Sequence, residues 1–143
     1  MSKYRQIAVK FLSEAALVQA LEDCVSQFGG AYEHHDKATN LFGYQGDARP
    51  EKAEYIIRRR YVGSGANDIG FARQADGSFS AIVSDFDAGD GAHSERQENE
   101  KFQYIKQRYA YHQTVSLAEE QGYTVYETVQ EDGSIELALE RMW

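Results

Sequence analysis

The spacing of hydrophobic positions along the 143-residue chain switches between two and about three and a half residues, and each switch marks an element. Ile7, Val9 and Phe11 alternate with Ala8 and Lys10, which predicts a strand over 4–11. Ser13 follows as a candidate N-cap, and Leu17, Leu21, Cys24 and Phe28 recur at helical spacing until Gly29-Gly30 ends the run. Residues 32–50 show no clean period. His34, His35 and Asp36 precede Gly43 and Gly46 there, and the segment reads as a short strand with an irregular connection. A strand is expected from Ala53 to Val62, with Tyr55, Ile57, Arg59 and Tyr61 on one face and Ile56, Arg58, Arg60 and Val62 on the other.

Register selects the turns. A three-residue loop Ala75-Asp76-Gly77 pairs Arg73 with Phe79, Phe71 with Ala81 and Ile69 with Val83, which leaves one apolar face. The strand after it is expected to run from Ser78 to Phe86. The same design returns near the C-terminus. A two-residue Asp132-Gly133 loop would set Val129 opposite Glu136, whereas a three-residue loop Glu131-Asp132-Gly133 sets Val129 opposite Ile135 and Val125 opposite Leu139. The three-residue loop is therefore expected, with Gly133 at positive φ and with Ile135, Leu137 and Leu139 facing the core.

Between these hairpins, residues 99–121 contain neither Gly nor Pro, and Phe102, Ile105, Tyr109 and Ser116 form an apolar stripe. One helix over 98–121 is predicted, stopped by Gly122. It carries a second stripe of Tyr104, Arg108, Tyr111 and Val115, residue types enriched in protein interfaces. Either that stripe meets a partner, or residues 32–50 or 85–98 fold over it. The order strand, helix, meander, helix, hairpin indicates an α+β fold in a single domain, 1–143. Its sheet is mostly antiparallel, with both helices on one face, and a ferredoxin-like variant with parallel contacts near the sheet centre is the expected architecture.

Composition narrows the function. Hydrophobic residues make up 42% of the chain, enough for a core, while 15 basic against 23 acidic side chains give a net charge of −8. That balance disfavours nucleic acid and anionic membranes as partners. One cysteine, Cys24, excludes an internal disulfide and a thiolate zinc site, and no apolar run reaches signal or transmembrane length, so a cytoplasmic or stromal location is expected.

Candidate chemistry is sparse. Gly63-Ser64-Gly65-Ala66-Asn67-Asp68 is glycine-rich, but no Gly-Lys-Ser/Thr follows and Ile69-Gly70-Phe71 is strand-like, so it reads as a hairpin loop and not a phosphate cradle. His34 and His35 point to opposite faces of a strand and do not share an ion. From Asp85 onward, only Asp85 and Asp87 keep the spacing of a calcium loop; Gly89 and Arg96 stand where ligands belong. An acidic loop capping the following helix explains the same residues. No cofactor, metal site or catalytic constellation is assigned.

The runs Gln107-Arg108-Tyr109-Ala110-Tyr111, Ala118-Glu119-Glu120-Gln121-Gly122-Tyr123 and Val129-Gln130-Glu131-Asp132-Gly133-Ser134-Ile135, with the closing Trp143, carry a resemblance over residues 102–143. They resemble the plastid hypothetical open-reading-frame-thirty-five family, a domain of unknown function in plastid and bacterial genomes. Tyr55-Ile56-Ile57-Arg58 and Asp68-Ile69-Gly70-Phe71 extend the resemblance to the middle of the chain. It implies a fold, and a neighbourhood of genes for AAA-type ATPases, but no activity and no catalytic residues.

Three functions follow as expectations. The first is a non-enzymatic binding or adaptor module with a protein partner, an ATPase assembly among the candidates, acting through Tyr104, Arg108 and Tyr111. The second is a binder of an anionic metabolite or nucleotide, including a sequestering protein of a phage or mobile element. Arg58 and Arg60 would hold the anion, with Arg108 and Lys106 completing the cluster; internal pairing with Glu51, Glu54 or the aspartates at 85, 87 and 90 is the alternative for these arginines. The third is an enzyme using His34, His35, His93 or His112 as base. A second copy of the chain is a further candidate partner.

Overall fold

The computed structural model describes residues 3–89 and 98–141, the side chains of residues 5 and 7–9 excepted. Strand β1 (Tyr4–Phe11) leads into helix α1 (Glu14–Phe28), followed by β2 (Glu33–Phe42), β3 (Ala48–Ile57), a single turn α2 (Arg59–Val62), β4 (Ile69–Arg73), β5 (Phe79–Ser84) and a second single turn α3 (Asp85–Ala88). The long helix α4 (Glu100–Glu120) then precedes β6 (Tyr123–Val129) and β7 (Ile135–Arg141).

Both long helices begin and end as their sequences dictate. Ser13 Oγ accepts the Ala16 N–H at 3.1 Å, and Asn99 Oδ1 accepts those of Lys101 and Phe102, so each cap satisfies N–H groups that have no partner within the helix. Leu17, Leu21 and Cys24 of α1 and Phe102, Ile105 and Tyr109 of α4 are buried. Ser116, expected on that stripe, is exposed, and Ala118 is buried instead. The main core ends at Tyr109, whose Oη accepts the N–H groups of Leu12 and Ser13 at the start of α1.

Strands β1 to β5 form one sheet in the order β1-β5-β4-β3-β2, and every pair is antiparallel. Phe11, Tyr55, Ile57, Ile69, Phe71, Phe79, Ala81 and Val83 share the face on which α1 and α4 pack. The fold is thus α+β with both helices on one side. The expected ferredoxin-like order is not what forms: β1 is an edge strand beside β5, and no parallel pair occurs among the described residues.

Residues 32–50 are more regular than expected. Strand β2 spans ten residues and is bulged between His34 and Thr39, which bends it across the second face of the sheet, where Leu41, Ala53 and Ile56 make a small core of their own. Tyr4, on the opposite edge strand, donates its hydroxyl to the carbonyls of Phe42 and Asp68, so one side chain ties the two edges together. The expected strand over 53–62 is corrected. Strand β3 starts earlier and ends at Ile57, paired with Ile69, because Asp68 Oδ1 captures the Arg59 N–H at 2.7 Å and turns the chain into α2.

The two three-residue turns form as expected. Gln74 N–H bonds Ser78 C=O and Gln130 N–H bonds Ser134 C=O, with Gly77 and Gly133 both at φ 86°. Pairing of Phe71 with Ala81 and of Val125 with Leu139 follows. The hairpin of β6 and β7, however, is a separate two-stranded sheet. Ile135 and Leu139 are 39% and 52% exposed, so the expectation that Ile135, Leu137 and Leu139 face the core is overturned: the hairpin never joins the larger sheet.

Candidate functional site

The sequence-predicted site residues fall into two separate cavities. The first, about 620 Å³, lies where α2 leaves β3 and is lined by Glu33, Phe42, Arg58, Arg59, Arg60 and Asp68, with Gly46, Gly63 and Gly65 at its rim. Arg58 is wholly engaged there. Its Nε and Nη2 grip both oxygens of Glu33 at 2.9 and 2.8 Å, and its Nη1 reaches Asp68 Oδ2 at 2.8 Å and the Asn40 carbonyl at 3.2 Å. Asp68 is buried and also accepts the N–H groups of Phe42 and Arg59, so it joins β2, α2 and the start of β4. The hydrogen bonds from Arg58 hold the Glu33 carboxyl below its usual range despite burial, and Glu33 in turn raises Arg58. Arg58 is therefore a structural cation paired with Glu33 and Asp68, and not with Glu51 or Glu54. Arg59 donates to the Tyr44 carbonyl, and Arg60 lies 4.8 Å over the Tyr61 ring. The premise that strand alternation sends Arg58 and Arg60 to one face fails, because α2 begins at Arg59.

The second cavity, about 750 Å³, separates α4 from the hairpin. Tyr104, Gln107, Arg108, Ala110, Tyr111 and Thr114 form one wall; Asp132, Gly133, Ser134, Ile135 and Leu137 form the other. α1 braces the helical wall. Tyr104 meets Phe28 edge-to-face at 5.3 Å, and Arg108 Nε and His112 Nε2 both reach Asp23 Oδ2, at 2.8 and 2.6 Å. Burial works against the Asp23 carboxylate, but these hydrogen bonds outweigh it and hold its pKa below the usual value. The Arg108 guanidinium also lies 4.3 Å over the Tyr111 ring.

Tyr104, Arg108 and Tyr111 are thus brought together, half-buried, but by α1 and the hairpin; residues 32–50 form β2 and the start of β3 instead. Arg108 does not complete a cluster with Arg58 and Arg60. Lys106, the other candidate for that cluster, pairs with Glu98 at 2.8 Å.

His34 stacks on Tyr55 and His35 bonds Glu33, on opposite faces of β2 as alternation requires. Among the described residues, no three of His, Cys, Asp and Glu gather where they could hold a metal ion. The calcium-loop and acidic-cap readings, and His93, fall largely on residues 90–97, outside the described residues. Asp87 is instead part of a buried knot with Asn67 and Ser84: its Oδ2 accepts the Asn67 N–H at 3.0 Å and the Ser84 hydroxyl at 2.9 Å. Sequence reasoning missed this knot and the Asp23 bridge. The signal for the knot was Asn67-Asp68 standing directly before an apolar strand.

With this geometry in hand the chain can be placed. It belongs to the family described as protein of unknown function (DUF1257), whose model matches residues 25–138. No curated protein and no solved structure matches it. No helix among the described residues is long and apolar enough to cross a membrane.

Proposed function

We propose that the chain is a non-enzymatic protein-binding module whose partner docks in the cleft between α4 and the C-terminal hairpin. The observation that carries this reading is the apolar face of that hairpin. Val129, Ile135 and Leu139 lie on the face that Leu137 turns to the cleft, and Val129 is 70% exposed. A lone two-stranded hairpin is marginal in water, and apolar side chains exposed on it around a single charge, Glu127 opposite Leu137, invite a covering surface. Opposite stand Tyr111 and Arg108, the residue types that anchor interfaces.

The anionic-ligand reading is weakened by the loss of Arg58 to Glu33 and Asp68, which leaves only Arg59 and Arg60 to meet a ligand in the first cavity. The resemblance to the plastid family, with its ATPase gene neighbours, makes an AAA-type ATPase assembly the first partner to test.

Photocrosslinking in the native host decides between the two cavities. With the crosslinker in place of Tyr111 or Leu139, one protein should be trapped at both positions, and Ile135→Glu should abolish trapping. Trapping at Arg60 alone, or at none of the three, refutes the docking reading.

A further inference from the structure

We infer that the cleft receives an extended basic segment of the partner, which pairs as a third strand with the free edge of β7; this rests on the docking reading above. Among the described residues the hairpin is a sheet of two strands, so β7 has β6 on one side and nothing on the other. Ile135 and Leu137 of β7 line the cleft and no residue of β6 does, so β7, whose outer edge is unpaired, is the strand that borders it.

The ladder shows which groups that edge offers. Gln130 N–H donates to Ser134 C=O at 2.8 Å, which makes these two a hydrogen-bonded pair. Such pairs alternate with non-bonded ones along an antiparallel ladder. Glu136, Ala138 and Glu140 therefore turn their N–H and C=O groups toward β6, while Ile135, Leu137 and Leu139 turn theirs outward. The outward residues are also the apolar ones, so backbone pairing and side-chain burial coincide. Strand addition uses both: main-chain bonds supply affinity, and alternate side chains supply selectivity.

The side chains then specify the guest. Residues opposite Ile135, Leu137 and Leu139 share the apolar face with Tyr111 beyond it, and residues opposite Glu136 and Glu140 share the acidic face. The guest consequently alternates apolar residues with lysine or arginine. Charge over the whole hairpin agrees: Glu127, Glu131, Asp132, Glu136 and Glu140 are set against Arg141 alone within residues 123–141. A second copy would bring the same acids and a further net charge of −8, so a basic partner is the complementary one.

The test is selection of random linear peptides, displayed on phage, against the full chain, followed by anisotropy titration of the enriched peptides. Enriched peptides should alternate apolar and basic residues with a period of two. The double variant Glu136→Lys with Glu140→Lys should weaken them by about tenfold or more, and peptides with glutamate in place of lysine should bind that variant instead. Methylating the peptide amides that face β7 should abolish binding. Unchanged amide exchange in β4 and β5 verifies that each variant is folded. Peptides with apolar residues at helical spacing that still lose binding on Ile135→Glu overturn strand pairing and leave cleft docking standing. Peptides indifferent to both Ile135→Glu and Tyr111→Ala, or no enrichment, overturn both readings. A dimer in light scattering that dissociates on Leu137→Glu overturns the basic partner in favour of a second copy.

Discussion

Two hairpins in this molecule are closed by the same turn, and they meet opposite fates. In β4–β5 and in β6–β7 an aspartate Oδ1, of Asp76 and of Asp132, accepts both the N–H and the hydroxyl of the serine two residues on, and a glycine at φ 86° completes the loop. Phe71, Phe79 and Ala81 of the first are buried at the centre of the core. Val129, Ile135 and Leu139 of the second stand exposed. Local turn chemistry thus forms a hairpin without deciding what covers it. Coverage depends on neighbours: β3 and β1 flank the first pair, while the second has α4 across an open cleft.

Deleting the same kind of side chain from each hairpin breaks the comparison hardest. Phe71→Ala removes a fully buried ring in edge-to-face contact with Phe11 and should cost about 3–5 kcal/mol in chemical denaturation. Leu139→Ala, at an exposed position, should stay within about 0.5 kcal/mol.

The arginines of the two cavities form the next contrast. Arg58→Gln strands the buried carboxylate of Asp68 and should cost about 3 kcal/mol, whereas Arg60→Gln, at an exposed side chain, should leave the denaturation midpoint unchanged. A folded, fully stable Arg58→Gln protein would refute the structural role given to that side chain.

At the turns the penalty is equal but its reach differs. A Cβ at Gly77 or Gly133 meets no atom within 4 Å, so Val at either costs only the strain of positive φ, about 1 kcal/mol. Gly77→Val should lower global stability by that amount. Gly133→Val should accelerate amide exchange in β6 and β7 and leave the core strands unaffected.

The smallest effect is one of pH. Asp23 and Glu33 have folded pKa values below their unfolded ones, so the stability they contribute is present above about pH 4 and is lost as pH falls through the folded values. Acid titration of Arg58→Gln should show a shallower loss than the parent, because Glu33 then loses its largest stabilising donor. Titration of Arg108→Gln should do so less, since His112 still holds Asp23.

Much of the fold was legible in the residues. Helix caps, the stripes of α1 and α4 and both turns follow from short-range rules, since each needs only neighbours within a few positions: Ser13 reaches Ala16, and Asp132 reaches Ser134. The candidate site was legible only in part. Tyr104, Arg108 and Tyr111 lie together because helical spacing puts them together, but their bracing by Phe28 and Asp23 depends on how α1 crosses α4. Arg58 was misplaced for the same reason. Its neighbours in sequence made a plausible strand, and the residue that ended it, Asp68, lies ten positions on and acts through space.

The sequence by itself determined the elements, their caps, the register of two hairpins and the acidity of the last one, because these are properties of contiguous residues. Tertiary structure alone decided that β1 is an edge strand, that Tyr4 ties it to β2, that Arg58 is consumed by Glu33 and Asp68, and that the last hairpin stands apart with its apolar face open. The first three outcomes rest on contacts between residues 10 to 80 positions apart, whose partners no local period can name.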